Sequence, residues 1–340
     1  MTEDVPSSEV IRPKCHRCGY DQSGAIAAWK LSDPASCPLV GRCTECGLDF
    51  EWADVLRPGR SPPRWSYEHA RAPASTKLPG AHLRALLPWW LWSRLQMHHP
   101  IVLRRLWLLS LWFLVIGHVI AATSAALAVR AWAVDWARAN PLAHSGSLPT
   151  PSQTFVDPYR CLPFWTNTES FFDHWIGVSC VATLVIPLAF FALRQTLVRS
   201  CIRSVHVCRG AAYSLAWIPV LSLVFFGARA LSIATSWRPW VRGGPSVLAV
   251  DRWFDWVRDS LESAARTISG NSWSSAAATL IWQLVFWTCF ARLNLRLSRA
   301  WAVSLTLVFV SCLLAFGVVG LWPGSTLLQD VANAVVGLKP

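Results

Sequence analysis

The sequence predicts an all-α polytopic membrane bundle, with about five transmembrane helices behind a small N-terminal domain. Hydrophobic residues make up 53% of the 340 residues and charged residues only 15%, whereas soluble domains carry about 25% charged residues. Several apolar runs of about 18 or more residues lack Lys, Arg, Asp and Glu, which is long enough to cross a bilayer as a helix. Tryptophan occurs 22 times and suits the membrane–water boundary, because its apolar ring carries one polar N–H.

The apolar runs predict five spans in a membrane domain over residues 106–322. The predicted spans are about 106–129, 175–193, 211–228, 273–291 and 300–322. Pro187 and Pro219 fall inside the second and third spans, where neighbouring helices can satisfy the backbone groups that a proline frees. Residues 323–340 are expected to form a short external tail.

Charge in the connecting segments predicts the orientation. The connections after spans two and four carry arginines and no acid, whereas those after spans one and three mix both signs. Because basic loops remain in the cytosol, the N-terminus is expected inside and the C-terminus outside. No cleavable signal peptide is visible, so we expect the first span to act as the insertion signal.

Three segments outside the spans have distinct compositions. Residues 57–82 are rich in Pro, Ala and Ser, which predicts an extended or loosely ordered linker. Residues 83–105 place leucine and tryptophan at helical spacing beside arginine, which predicts a basic amphipathic juxtamembrane helix at the lipid surface, bent at Pro88. The plainer and compatible interpretation is an ordinary helix packed on the membrane domain. Residues 247–268, in the second outer loop, predict an amphipathic helix on the outer surface or capping the bundle.

Two cysteine pairs, Cys15/Cys18 and Cys43/Cys46, are the strongest chemical signal. Each pair has C-x-x-C-G spacing, in which the glycine can adopt a positive φ and turn backbone N–H groups toward the sulfurs. Four thiolates form the closed tetrahedral set of a structural Zn²⁺ site. We therefore predict a zinc ribbon over residues 1–56, with Zn²⁺ as a structural cofactor. Four thiolates also suit iron, and a pair of redox dithiols is the other alternative.

The neighbours of these cysteines and the distribution of charge refine the prediction. His16 and Cys37 are spare candidate ligands, and we interpret Cys37 as a bystander. A closed site leaves no open position for metal catalysis. The ribbon is acidic, whereas residues 55–105 carry nine Arg or Lys and one acid, Glu68. This argues against nucleic-acid binding by the ribbon and places the basic charge beside anionic lipid.

Four further positions are candidates for function, each with a plainer interpretation. His118 lies mid-span, where a histidine is costly, but no intramembrane acid accompanies it. Gln283 in the fourth span is a polar outlier that can hydrogen-bond between helices. Cys161 lies in the first outer loop and could cross-link a partner or be incidental. His98-His99 could bind metal or lipid phosphate, and we expect it to be exposed at the surface.

The ribbon resembles one found at the N-terminus of many bacterial membrane proteins. The matching residues are Cys15-His-Arg-Cys-Gly-Tyr-Asp-Gln-Ser-Gly24 and Gly41-Arg-Cys-Thr-Glu-Cys-Gly47, and the segment Pro88–Pro100 is also similar. That group has Leu at Gln22 and Pro at Thr44, and neither change is expected to touch a ligand. The resemblance implies zinc ligation by the four cysteines and the bacterial cytoplasmic (inner) membrane. Five spans with a cytosolic N-terminus are also similar in topology to Yip-type membrane proteins.

Enzyme signatures such as H-E-x-x-H, a Walker loop, G-x-G-x-x-G and G-x-S-x-G are missing from the sequence. The favoured hypothesis is a membrane scaffold or adaptor: the ribbon would dock a cytosolic protein partner, and the bundle would anchor it in the lipid bilayer or form a homo-oligomer. The alternatives are a small-solute transporter or channel regulated by the ribbon, and a membrane enzyme acting on lipid or envelope substrates.

Overall fold

The computed structural model describes most of the chain and divides into two compact units. The described residues are 13–32, 38–56, 63, 65–69, 74–99, 101–139, 153, 171–192, 194–227, 260, 263 and 272–320. Unit 1 comprises Met1–Trp107, Pro187–Tyr213 and Phe286–Leu305. Unit 2 comprises Leu108–Ile186, Ser214–Val285 and Thr306–Pro340. The predicted outer helix at 247–268 lies outside the described residues except for Ser260 and Ser263, and the tail at 323–340 lies wholly outside them.

The described residues are mainly helical. In chain order the helices are α1 (Ser23–Ser32), α2 (Trp52–Leu56), α3 (Leu78–Ala85), α4 (Pro88–Arg94), α5 (Leu103–Ala139), α6 (Phe171–Ala192), α7 (Arg194–Arg199), α8 (Ser204–Ser214), α9 (Trp217–Ser222), α10 (Ser272–Cys289) and α11 (Ala300–Gly320). The strands are β1 (Val40–Arg42) and β2 (Asp49–Glu51). Short 3-10 segments cover Tyr67–His69 and Ala74–Lys77, and π-helical turns cover Leu223–Gly227 and Phe290–Asn294.

The N-terminal ribbon is built on an antiparallel hairpin of β1 and β2, in which Gly41 pairs with Phe50. Trp52 follows β2 directly and is buried. Its indole packs edge-on against Phe50 at 5.0 Å and against Trp29 of α1 at 4.4 Å. A Cβ on Gly41 would lie 2.6 Å from Trp52 Nε1. Glycine at this position therefore lets the indole close the small core of the ribbon.

The range 57–82 contains more structure than the expected linker. Tyr67–His69 and Ala74–Lys77 form 3-10 turns, and α3 begins at Leu78. Glu68 is fully buried, and a buried carboxylate needs a fixed, oppositely charged partner. The structure therefore differs from the extended linker that the Pro- and Ala-rich composition indicated.

Two short helices, α3 and α4, replace the single bent helix expected over residues 83–105. Pro88 occupies the first position of α4, where its missing N–H costs nothing, and it drives the preceding residue out of the helical region. Leu87 accordingly has φ −111° and ψ 82°. The face of α4 formed by Leu91 and Trp92 is fully buried in unit 1, because Trp92 packs on aromatic rings from the third part of the unit, including Phe290 at 4.8 Å.

Three described helical segments are long and apolar enough to cross a membrane: Leu103–Leu127, Ala276–Asn294 and Ala300–Val319. They correspond to the first, fourth and fifth predicted spans. A shorter apolar helical stretch, Val181–Phe190, falls in the second. The structure thus supports a helical membrane protein. The total of five spans and their orientation remain predictions.

The third predicted span, at 211–228, is not one continuous helix. Helix α8 ends at Ser214, α9 begins at Trp217, and Leu223–Gly227 form a π-helical turn. Pro219 explains the break, because a proline ring clashes with the carbonyl four residues earlier, which here belongs to Leu215. Hydropathy alone does not register this interruption.

Unit 2 is held by small apolar residues and paired polar groups. Val178, Ala182 and Ala315 form a buried cluster. The indoles of Trp217 and Trp282 stack with centroids 5.0 Å apart. Close packing of small residues is typical of helices that associate in a membrane, because it brings their backbones together.

Candidate metal centre

The two cysteine pairs lie on two turns with matching backbone geometry. In the first, the Cys15 N–H donates to the Tyr20 carbonyl at 2.8 Å and the Gly19 N–H donates to the Cys15 carbonyl at 2.9 Å. In the second, Cys43 and Gly47 repeat this pattern at 2.9 Å in both bonds. The φ angles of Gly19 and Gly47 are +80° and +66°, as the C-x-x-C-G spacing predicted. Both turns need glycine here, because a side chain strains a positive φ.

The four sulfurs converge on one point. Cys15 Sγ lies 3.6 Å from Cys46 Sγ, and Cys18 Sγ lies 3.6 Å from Cys43 Sγ. The ligand atoms of all four cysteines lie within 4.8 Å of one another. A tetrahedron with Zn–S bonds of about 2.3 Å has edges of about 3.8 Å, whereas a disulfide needs an S–S distance of about 2.05 Å. The spacing therefore fits a four-thiolate metal site.

The thiols occupy unequal electrostatic environments. Burial raises the pKa of the Cys18 thiol to about 11, against a smaller opposing effect of the Tyr20 N–H, which donates to its sulfur. Burial acts to raise the pKa of Cys43, but backbone N–H groups of Cys46 and Glu45, together with the side chains of Cys18 and Cys46, lower it to about 7. N–H groups aimed at sulfur stabilise a thiolate. Cys43 is therefore more ready than Cys18 to bind a metal as the anion.

Gln22 is a site residue that the sequence analysis missed. Its side chain is buried, and Nε2 donates to Cys43 Sγ at 3.3 Å. The expectation that the change from Leu to Gln touches no ligand is therefore wrong. A donor to a metal-bound sulfur holds the ligand in place and offsets part of its negative charge. The departure from the ribbon pattern at this position was itself the available signal.

The two spare candidate ligands have different outcomes. The metal-competent group found among the described residues contains the four cysteines and not His16. Burial lowers the pKa of His16 to about 4, with the neighbouring His98 acting in the same direction. The ring is thus a neutral packed group beside the site. Cys37 lies outside the described residues.

The ribbon is bonded to the rest of unit 1 through the backbone of its first cysteine turn and of β2. Just before α8, the Arg203 N–H donates to the Arg17 carbonyl at 3.2 Å. One turn on, His206 Nε2 donates to the His16 carbonyl at 2.8 Å. Arg296 Nη1 donates to the Asp49 carbonyl at 2.9 Å. The three donors lie far from the ribbon in sequence, and together they bind both of its halves.

A histidine pair expected at the surface is instead packed inside unit 1. His99 is buried, and its Nδ1 accepts the Gln96 N–H at 3.1 Å. His98 Nδ1 lies 3.4 Å from Asp54 Oδ2. Burial lowers the pKa of His98, and the Asp54 carboxylate partly offsets this. The prediction of exposure is therefore wrong, because the carboxylate of α2 and the fold of the 96–99 turn provide partners that local sequence does not show.

A buried ion pair joins the former linker to α8. Arg209 donates from Nε and Nη2 to both carboxylate oxygens of Glu68 at 2.8–3.0 Å, and both side chains are fully buried. Its Nη1 and Nη2 also donate to the carbonyls of Gln96 and His99 at 3.2 and 3.0 Å. Burial raises the pKa of Glu68, whereas the Arg209 charge opposes this. The guanidinium thus connects three separate segments of unit 1.

The remaining candidates occupy unit 2 or undescribed segments. Gln283 is fully buried, and its Nε2 donates to Thr183 Oγ1 at 3.2 Å, which is the interhelical hydrogen bond that the sequence suggested. His118 is half-buried in α5, and among the described residues it does not belong to a group that could hold a metal ion. Cys161 lies outside the described residues.

Comparison with protein-family models, with curated proteins and with solved structures found no match for this chain. The chemistry of the site therefore rests on its own geometry. Four sulfurs fill a tetrahedral coordination shell and leave no position for a substrate or an activated water. Such a site can stabilise a fold, since a metal that binds only the folded state adds its binding free energy to stability.

Proposed function

We propose that this protein is a membrane-anchored scaffold whose structural zinc ribbon docks a cytosolic protein partner. The observation that carries the proposal is a closed four-thiolate site in a ribbon that leaves large apolar side chains exposed. Leu39 and Val40, at the start of β1, are 86% and 63% exposed, and Leu31 at the end of α1 is 88% exposed. Exposed apolar residues on a small rigid domain are typical of protein interaction surfaces.

The finer parts of the proposal follow from sequence. Zn²⁺ is the favoured metal because it takes four thiolates in a closed tetrahedron. Five spans with the N-terminus inside follow from the charge of the connections. The resemblance of the ribbon to that of bacterial membrane proteins supports the cytoplasmic membrane as the location. The Gln283–Thr183 hydrogen bond gives the buried amide a structural partner, in keeping with its plainer interpretation as an interhelical contact.

The test uses the full-length chain, because Arg203 and His206 bond the ribbon and lie far outside it. Affinity-tagged protein is purified in detergent, its metal is identified by elemental mass spectrometry, and it is then mixed with cell lysate. We expect one zinc per chain in the wild type and none in Cys15→Ser/Cys18→Ser. Cys37→Ser is the matched control and should keep its zinc.

The docking part is tested with a double substitution on the exposed apolar residues, Leu39→Ser/Val40→Thr. We expect one protein to be captured by the wild type and lost both from this variant and from the metal-free variant. Leu83→Ser, an exposed apolar site on α3 outside the ribbon, should leave capture intact. Capture that is equal in all four samples would contradict the docking proposal and leave the zinc assignment standing.

A further inference from the structure

A ladder of alternating tryptophan and arginine side chains covers part of unit 1. The Arg84 guanidinium lies 5.6 Å from the Trp65 ring and 5.4 Å from the Trp90 ring, and the Arg94 guanidinium lies 4.7 Å from the Trp90 ring. The two indoles lie 5.2 Å apart with their planes tilted by 40°. We call these four residues the Trp–Arg ladder. Stacking on indoles holds the planar guanidinium groups in place without neutralising them.

The arginines of the ladder are held in position, and no carboxylate of the described residues pairs with them. Arg84 Nη1 donates to the Gly80 carbonyl one turn earlier in α3 at 2.9 Å. This bond fixes the side chain and leaves other guanidinium N–H groups to donate to a ligand. Within the described part of the chain, neither Arg84 nor Arg94 forms an ion pair with a carboxylate. An organised guanidinium without a counter-charge is suited to an oxyanion, especially a phosphate.

The surrounding segment offers no negative charge that could compete. Glu68 is the one acid within residues 55–105. Its carboxylate is fully buried and held by Arg209. All other ionisable side chains of Asp, Glu, Lys or Arg type in that segment are therefore cationic, so its surface attracts an anionic partner.

Apolar side chains flank the ladder on the same two helices. Leu83 of α3 is 67% exposed and Trp89 of α4 is 58% exposed, with Leu87 between them also exposed. Helix α5 begins at Leu103, where the first candidate membrane span also begins. A surface that combines exposed leucine and tryptophan with arginine, and that adjoins a membrane span in sequence, has the chemistry of the headgroup region of a bilayer.

We propose that the Trp–Arg ladder binds the headgroup phosphates of anionic lipids in the leaflet from which α5 starts. Arg84 and Arg94 contact the phosphates, Trp65 and Trp90 hold the two guanidinium groups in place through cation–π contacts, and Leu83, Leu87 and Trp89 enter the acyl boundary. This goes beyond the scaffold function, since it gives the protein a preference among lipids.

The arrangement favours lipid over nucleic acid. Single-stranded nucleic acid binds such surfaces by stacking its bases on open aromatic faces. In the ladder, Arg84 and Arg94 already lie over the Trp90 ring. Bases also do not require the exposed leucines of α3 and its junction with α4, whereas acyl chains do.

The test measures which lipids the full-length protein retains. Protein is reconstituted into nanodiscs of phosphatidylcholine mixed with phosphatidylglycerol and released into detergent, and its bound lipids are counted by native mass spectrometry. We expect the wild type to retain phosphatidylglycerol above its proportion in the nanodisc. Arg84→Gln/Arg94→Gln should weaken this preference about tenfold or more, because each surface arginine contributes about a factor of five toward an anionic bilayer.

Two further variants separate geometry from net charge. Arg84→Lys/Arg94→Lys keeps the charge and loses the stacked fork, so it should fall between the wild type and the glutamine variant. Lys30→Gln/Arg42→Gln removes the same charge from exposed positions on the ribbon and should retain the full preference. All variants are checked for unchanged helical circular dichroism and elution volume.

The proposal would be overturned by a lysine variant that behaves like the wild type, or by a ribbon-charge variant that behaves like the glutamine variant, since net charge alone would then explain lipid retention. It would equally be overturned by equal retention of both lipids in the wild type. A fluorescent single-stranded RNA that binds the wild type and not the glutamine variant, without any lipid preference, would assign the ladder to nucleic acid instead.

Discussion

Arg209 and Glu68, 141 residues apart in sequence, form a bidentate ion pair with both side chains fully buried. The pair ties the segment before α3 to α8. Among the described ion pairs of unit 1, it joins the residues farthest apart in sequence. Whether such a pair adds net stability depends on the cost of removing both ions from water. Removing one partner alone, however, lowers the free energy of unfolding.

The first prediction concerns the loss of one partner. Glu68→Leu leaves the Arg209 charge buried and unpaired, and we expect it to lower the free energy of unfolding by about 3–5 kcal/mol. The double variant Glu68→Leu/Arg209→Met removes both charges and should recover a large part of this loss. Thermal unfolding of the detergent-purified protein, followed by tryptophan fluorescence, measures both. Glu51→Gln at an exposed position is the control, and equal destabilisation of the single and double variants would contradict the argument.

The second prediction is a pH dependence of unit 1. Burial lowers the pKa of His206 to about 4 from the usual 6.5, although the bond to the His16 carbonyl acts in the opposite direction. A lowered pKa means that the folded state holds the neutral ring. The resulting stability is fully present above pH 6.5 and is lost as the pH falls toward 4. Between pH 7 and pH 5 we expect a loss of about 2 kcal/mol from this residue.

The control for this effect keeps the hydrogen bond and removes the titration. His206→Gln retains an N–H donor for the His16 carbonyl but cannot gain a proton in this range. Protonation of the metal-binding thiols affects both proteins equally. The denaturation midpoint should therefore fall more steeply with acidification in the wild type than in the variant, and parallel curves would show that His206 contributes nothing.

The third prediction concerns the Gln22 amide. Gln22→Leu removes the N–H that donates to Cys43 Sγ while keeping a side chain of similar size. We expect metal affinity to fall about 10–100-fold, because groups that hydrogen-bond a metal ligand contribute to affinity at this level. Competition with a chromogenic chelator measures it. Gln22→Glu is the informative second variant, since a carboxylate beside a thiolate cluster should weaken binding further.

The fourth prediction compares two glycines of the ribbon that differ in backbone conformation. Gly47 has a φ of +66°, so Gly47→Ala should destabilise the metal-bound ribbon by about 1–2 kcal/mol. Gly24 lies in the first turn of α1 with open space around its Cα. Gly24→Ala should therefore be neutral or stabilising by up to about 1 kcal/mol. The denaturation midpoint should fall for Gly47→Ala and stay unchanged or rise for Gly24→Ala. A midpoint that falls for Gly24→Ala as well would contradict the prediction.

The cysteine turns could be predicted from the sequence because their information is local. Cys15 and Cys18 are three residues apart, and Gly19 supplies the turn, so spacing alone fixes the geometry. The apolar runs at 106–129, 273–291 and 300–322 were equally readable, because burying the backbone in lipid requires about 20 apolar residues in sequence. The structure contains long apolar helices in all three places.

Other features depend on packing partners and backbone details that motif spacing and hydropathy do not show. Arg209 is one of the arginines in the basic connection after span two, and only the fold shows that it faces Glu68. His98 was expected at the surface because its local sequence does not indicate that Asp54 lies beside it. The break at 215–216 is a backbone event inside an apolar run, and a hydropathy average passes over it. For Arg209 and His98 the deciding partner lies far along the chain, whereas the break follows from the nearby Pro219.

His16 and Arg17 sit between two of the four thiols, and their carbonyls are the ones that accept bonds from Arg203 and His206. One loop is thus shared by a metal site and by a joint with α8. Linkage then acts in both directions: if the bound ion strengthens the joint by some factor, a stronger joint must raise the affinity for the ion by the same factor. Metal occupancy is thus expected to change the stability of a joint at α8, a helix that carries no ligand to the metal.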